Sequence, residues 1–176
     1  DGSTALAESV EVPPSFVGEL REYQQRGVEW LADMSNRGFG VILADDMGLG
    51  KTVQILALLE YERCRRQADA TGQEHKTSLL VVPTGVLRNW AAEATKFTPE
   101  LKVGLLHGSN RPHGEELQEF IGKHDVVSRA QAPQRSGYLC VGVLDCLCFV
   151  SNHMIPLHLG EFVHITGSNT CLLYTS

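Results

Sequence analysis

From Leu20 onward the apolar positions recur with a helical period. Leu20, Tyr23, Gly27, Trp30, Leu31 and Met34 stand at i, i+3, i+7, i+10, i+11 and i+14, which predicts one stripe of a helix that ends near Gly38. The pattern then changes to short apolar runs bounded by glycine, proline or polar residues. Val41-Ile42-Leu43-Ala44, Ser78-Leu79-Leu80-Val81-Val82 and Val103-Gly104-Leu105-Leu106 read as strands, and Asp125-Val126-Val127 as the start of a fourth. Helical periodicity returns between them. Lys51 to Arg66 carries Val53, Leu56 and Leu59 on one side, widened by Ile55 and Leu58, while the stretch after Pro83-Thr84-Gly85 carries Leu87, Trp90, Ala91, Ala94 and Phe97. Glu115 to Lys123 reads as a shorter helix. This alternation predicts an α/β fold: a parallel sheet with right-handed crossovers, flanked by helices, and a ligand loop at the carboxyl ends of the strands.

The loop between the first strand and its helix carries the most specific chemistry. In Asp45-Asp46-Met47-Gly48-Leu49-Gly50-Lys51-Thr52 the two glycines lack a Cβ, so the backbone can take φ > 0 and turn its N–H groups toward an anion at the positive end of the next helix. Lys51 adds a full positive charge where β- and γ-phosphates would lie, and the Thr52 hydroxyl is placed to ligand Mg²⁺. The candidate nucleotide site is therefore Asp46, Met47, Gly48, Leu49, Gly50, Lys51 and Thr52, with Lys51 the candidate catalytic residue and ATP with Mg²⁺ the expected ligand. The strict phosphate-loop pattern wants glycine at position 45, where this chain has Asp45.

The whole run LADDMGLGKTVQ resembles motif I of the SNF2 family of superfamily 2 helicase-like ATPases, in which an acidic residue commonly replaces that glycine. The resemblance covers about Val12 to Val127, and prokaryotic, HepA-like members look most similar. It extends to two further stretches. LREYQQRGVEWL resembles the family's Q-motif region, which implies that Gln24 recognises the adenine edge through paired hydrogen bonds, a role suited to an amide with donor and acceptor on one plane. LLVVPTGVLRNW resembles motif Ia, which implies that Thr84 and Asn89 face a DNA backbone; free N–H groups at a helix start bind phosphate without reading sequence. The resemblance implies a RecA-like P-loop NTPase lobe, the first of two, within a DNA-dependent ATPase that translocates on double-stranded DNA. Its implied partners are double-stranded DNA through the backbone, and RNA polymerase or DNA-bound proteins. It also implies a location with DNA, nucleoid-associated in a bacterial cytoplasm or nuclear in a eukaryote. The rival readings are a non-catalytic nucleotide-binding module and another P-loop ATPase or kinase.

Charge and length limit this picture. A chain of 176 residues is long enough for one core but not for two such lobes, so at most the first lobe is expected here. The net charge of −6 gives no overall pull toward nucleic acid, and any DNA contact has to be local. Five cysteines without CxxC spacing, and no apolar run of the ~20 residues a membrane helix needs, read as a soluble protein of a reducing compartment.

Composition breaks near residue 127. Residues 128–176 hold only Arg129, Arg135, Asp145 and Glu161 as charges, against 32 of 36 before them, and four of the five cysteines. The organisation expected is a lead-in at 1–15, the lobe at 16–127 and a tail at 128–176. The family pattern would continue to an Asp-Glu pair that holds Mg²⁺ and prepares the attacking water, whereas this chain gives SRAQAPQRSG and no Asp-Glu beyond it. Three readings of the tail stand open: a native divergent end, a metal module using Cys140, Cys146, Cys148, His153, His158 and His164, or foreign or frame-shifted sequence. The charge loss and the ending CLLYTS favour the third. On that reading the sheet is left incompletely covered, with Leu105 and Val127 partly exposed and the tail only loosely docked.

Overall fold

The short apolar runs and the periodic stretches form the elements they predict, as a computed structural model of the chain describes for residues 10–46, 48–68, 77–109, 111–130, 140–142 and 171–174. Helix α1 spans Glu22–Asn36, strand β1 Gly40–Leu43, α2 Lys51–Ala68, β2 Ser78–Val82, α3 Thr84–Phe97, β3 Val103–Leu106, α4 Gly114–Gly122 and β4 Val126–Ala130. Two short strands lie in the tail, β5 at Cys140–Gly142 and β6 at Cys171–Tyr174. The lead-in residues 1–9 and the tail's histidines and Cys146 and Cys148 lie outside the described residues.

Three strands form the parallel sheet that the alternation predicts, in the order β3-β4-β2. Ser78 pairs with Val126 and Val82 with Ala130, while Val103 pairs with Val126 and Leu106 with Arg129. Strand β4 thus continues three residues past Val127, in register with β2. Asp125 pins the start of this ladder: its N–H donates to the Lys102 carbonyl at 2.9 Å, its carbonyl accepts from Ser78 N at 2.8 Å, and its carboxylate accepts from Lys102 N at 2.9 Å. The sheet is not parallel throughout. β5 joins β2 antiparallel, and β1 pairs in parallel with β6 in a separate ladder.

The central position of β4 decides what is covered. Val127 is buried at 2%, contrary to the expectation from sequence, because strands flank it on both sides and α4 packs over the adjoining row. A Cβ at the neighbouring Gly104 would meet the Phe120 ring at 2.7 Å. Leu105, on the edge strand β3, is 45% exposed as expected.

Helix α2 is the structural centre. Its sequence predicts one apolar face, but every residue from Gln54 to Glu60 is buried, since α1 packs on one side of it and α3 on another. The face that α1 presents is rotated by about one residue from the predicted stripe: Gln24, Gly27, Val28, Leu31 and Ala32 are buried, and Tyr23, Trp30 and Met34 flank them half-buried. Trp90 of α3 is core, at 3% exposure.

The basic cluster at the end of α2, read from sequence as a helix cap, divides in the structure. Arg65 and Arg66 occupy the last turn, where positive charge opposes the helix dipole, and Arg65 also donates to Asn36 Oδ1 of α1. Arg63 instead turns inward. It donates to Glu60 Oε2 at 2.9 Å and Oε1 at 2.6 Å, and to Glu100 at 2.7 Å. Burial pushes the Glu60 carboxyl up, but hydrogen bonds from Arg63 and Ser15, the Arg63 charge and the Cys64 thiol outweigh it and hold the carboxyl below its usual range.

A carboxyl with a depressed folded pKa stabilises the fold above its unfolded value, about 4.3, and loses that contribution as pH falls through the lower folded value. Glu60→Gln is therefore expected to lower the thermal midpoint near neutral pH and to flatten its fall on acidification, measured by melting across about pH 3–7. Arg63→Ala, which strands a buried carboxylate, is expected to cost about 3–5 kcal/mol.

Candidate nucleotide-binding site

Strand β1 ends at Leu43 and α2 begins at Lys51, so the intervening loop crosses the carboxyl end of the strand as the sequence predicts. Gly48 has φ +89° and Gly50 φ +78°, both in the left-handed range that only glycine enters at little cost. Met47 lies outside the described residues. Apart from Gly48 and its chain neighbours, no heavy atom of the described residues lies within 4 Å of where a Cβ would stand at Gly48. An anion could therefore approach the backbone here, and the residues present fit a nucleotide's phosphates.

Helix α1 holds this loop. The Leu49 carbonyl accepts hydrogen bonds from Tyr23 Oη at 3.1 Å and from Gln24 Nε2 at 3.0 Å. Gln24 Oε1 in turn accepts from Arg21 N at 2.9 Å, tying the start of α1 to the same amide. A Cβ at Gly50 would lie 2.4 Å from Gln24 Nε2, so Gly50 is constrained by close approach as well as by φ. Gln24 has spent one donor and one acceptor on the protein, and its amide retains one N–H and one carbonyl lone pair.

The Lys51 ammonium lies against the loop, donating to the Asp45 carbonyl at 2.6 Å and to the Asp46 carbonyl at 3.0 Å. Burial pulls its pKa below the ordinary lysine value, while the charges of Asp45 and Asp46 act in the opposite direction. Thr52 follows in the first turn of α2, half-buried. Sequence reading named Gln24, Leu49, Gly50, Lys51 and Thr52, which lie in one neighbourhood of the structure. It missed Tyr23, and it did not assign a partner to Asp45, which is buried and accepts a hydrogen bond from Gln54 Nε2 at 2.9 Å. The available signal was a glutamine in the middle of an otherwise apolar helix segment.

A phosphate-loop geometry alone does not name a family. The family model of the SNF2-related domain matches residues 23–132, more than half of the chain. The chain belongs to the SNF2-related family. Its sequence is 41% identical over 116 residues to YwqA of Bacillus subtilis, named for an ATP-dependent helicase/translocase, covering 66% of this chain and 12% of that protein. Helicase SWR1 of Saccharomyces cerevisiae is 42% identical over 107 residues, covering 61% of this chain and 7% of that protein. Identities this similar do not separate bacterial from fungal members. The SWI2/SNF2 ATPase core of Sulfolobus solfataricus in complex with dsDNA superposes with a TM-score of 0.54 at 31% identity, over 69% of this chain and 23% of that one. The core domain of that ATPase also matches, with a TM-score of 0.59 at 24% identity over 96% of this chain and 33% of that one, which extends the likeness of fold. The RecA-like α/β fold expected from sequence is the fold found.

Within the SNF2-related lobe, the two residues assigned to DNA lie on α3, a different element from the nucleotide loop. Thr84 is the first residue of α3 and Asn89 lies in its second turn, both exposed. Five residues on a helix turn about 140° around its axis, so the two side chains do not share one face.

The paired constraints at the loop glycines give a direct comparison. Gly48→Ala is expected to cost about 1–2 kcal/mol from its left-handed backbone alone. Gly50→Ala carries that cost and also drives a methyl group into the Gln24 amide, so its thermal midpoint is expected to fall further than that of Gly48→Ala; equal losses would show that Gln24 yields freely.

Proposed function

We propose that this chain is the ATP-binding part of a DNA-dependent ATPase that translocates on double-stranded DNA. One observation carries the reading: in a chain of the SNF2-related family, the Gly48–Gly50 loop opens onto α2 with the Lys51 ammonium at its base and the Gln24 amide beside it. In this reading Lys51 stabilises phosphate charge, Gly48 and Gly50 cradle the phosphates, Asp46, Met47 and Leu49 complete the loop, and Thr52 ligands Mg²⁺. Bound Mg²⁺ would neutralise charge on the phosphate oxygens. The remaining donor and acceptor of Gln24 suit the adenine edge.

DNA is proposed as the partner because a similar ATPase core was solved with dsDNA, and Thr84 and Asn89 are the exposed candidates for backbone contact. The chain spans 12% of YwqA and 7% of SWR1, so stepping along DNA, the Asp-Glu pair and any contact with RNA polymerase or DNA-bound proteins belong in this proposal to a longer parent, located where DNA is.

In that parent, Lys51→Ala is expected to lower ATP turnover by on the order of 10²-fold or more with the fold retained; near-normal turnover would remove Lys51 from the site. ATP turnover that rises with double-stranded DNA supports the motor, and nucleotide binding without that response supports a binding module instead. Gln24→Ala is expected to weaken ATP more than GTP, because a lost base contact of roughly 1–3 kcal/mol applies only to the base it matches. Equal weakening of both would return Gln24 to its structural role of joining α1 to the loop.

A further inference from the structure

Asp45 and Gln54 have no part in the nucleotide site as proposed, yet they are deeply buried beside it. Asp45 is 2% exposed and Gln54 0%. Gln54 Nε2 donates to Asp45 Oδ2 at 2.9 Å, while Gln54 Oε1 has no hydrogen-bond partner among the described residues. Stability does not account for this arrangement. An orphaned buried acceptor works against folding, and apolar side chains at both positions would fill the same space with no polar group left to satisfy.

The geometry connects the pair to Lys51. The Asp45 carbonyl is the nearer of the two acceptors that hold the ammonium, at 2.6 Å against 3.0 Å for Asp46. Anchoring the Asp45 side chain beneath the loop restrains the rest of that residue, including the direction of its carbonyl. Lys51 and Gln54 are three residues apart on α2, so one turn of helix carries both the lysine and the residue that locks its acceptor. An ammonium has three donors. Two are directed to the loop carbonyls, which leaves one for a phosphate oxygen.

We propose that Asp45 and Gln54 are positioning residues: their buried hydrogen bond fixes the carbonyl that holds Lys51, and so aims the lysine's remaining donor at a nucleotide phosphate. This rests on the nucleotide reading of the loop.

The test uses the whole 176-residue chain with two readouts: affinity for adenylyl imidodiphosphate with Mg²⁺, and the ¹⁵N NMR signal of the Lys51 ammonium, whose proton exchange slows when it is held by acceptors. In the unsubstituted chain the signal is expected to exchange slowly; fast exchange there overturns the proposal without recourse to any variant. Gln54→Met, which keeps the length but removes the donor, is expected to weaken the analogue about tenfold and to speed Lys51 exchange. Asp45→Asn keeps an acceptor for Gln54 and adds a donor that can meet Gln54 Oε1, so it is expected to hold affinity within about threefold and to keep the slow signal. A loss in Asp45→Asn as large as that in Gln54→Met would overturn the hydrogen bond as the cause. If the analogue binds and Lys51→Ala abolishes binding, but folded Gln54→Met changes neither readout, the positioning proposal fails alone. If the unsubstituted chain does not bind the analogue, the nucleotide reading fails, and the aiming of Lys51 with it, whatever the NMR signal shows.

Discussion

Helix α2 is buried around its circumference from Gln54 to Glu60, and that constraint organises its neighbours. A helix apolar on one face needs one partner surface, but a helix buried all round must be enclosed. The apolar side chains Ile55, Leu56, Leu58 and Leu59 are each no more than 2% exposed. At about 1.5–3 kcal/mol each, their burial contributes roughly 6–12 kcal/mol, an upper figure because the unfolded chain is itself partly compact. The Glu60–Arg63 ion pair at the far end of this segment has to offset its own desolvation before it adds anything. Hydrophobic enclosure of α2 therefore dominates, and the ion pair's part is to let a charged turn enter the core and to tie α2 through Glu100 to the connection between α3 and β3.

The same enclosure fixes the helix on which the nucleotide loop ends. Lys51 opens a helix that cannot shift without disturbing the core, and α1, packed on that helix, reaches back with Tyr23 and Gln24 to hold the Leu49 carbonyl. The loop is thus held from outside by α1 and from beneath by Asp45 and Gln54. Gly48, with no side chain to place, leaves the backbone open there, whereas Gly50 is closed by the Gln24 amide. A departure from the strict phosphate-loop pattern at Asp45 is structurally consistent: a buried carboxylate at the loop's first position takes a hydrogen bond from α2 that glycine has no atom to accept.

The sequence by itself determined the order and type of the elements from α1 to β4. β2 and β3 occupy the ranges read from their apolar runs, because proline, glycine and polar neighbours end those runs locally and no distant partner is needed to place them. The loop was legible for the same reason, since glycine's φ freedom and lysine's charge are properties of the residues themselves. Tertiary structure alone decided which side chains meet. Nothing local in RCRR separates Arg63, turned inward to Glu60 and Glu100, from Arg65 and Arg66 in the last turn; that follows from which side of α2 the neighbouring elements cover. Val127 is buried because β4 became a central strand, and strand order depends on pairing between segments far apart in the chain. The partners of Gln24 and Gln54 were equally out of reach of local pattern: an amide advertises that it can give and accept hydrogen bonds, and only packing supplies the atoms it bonds.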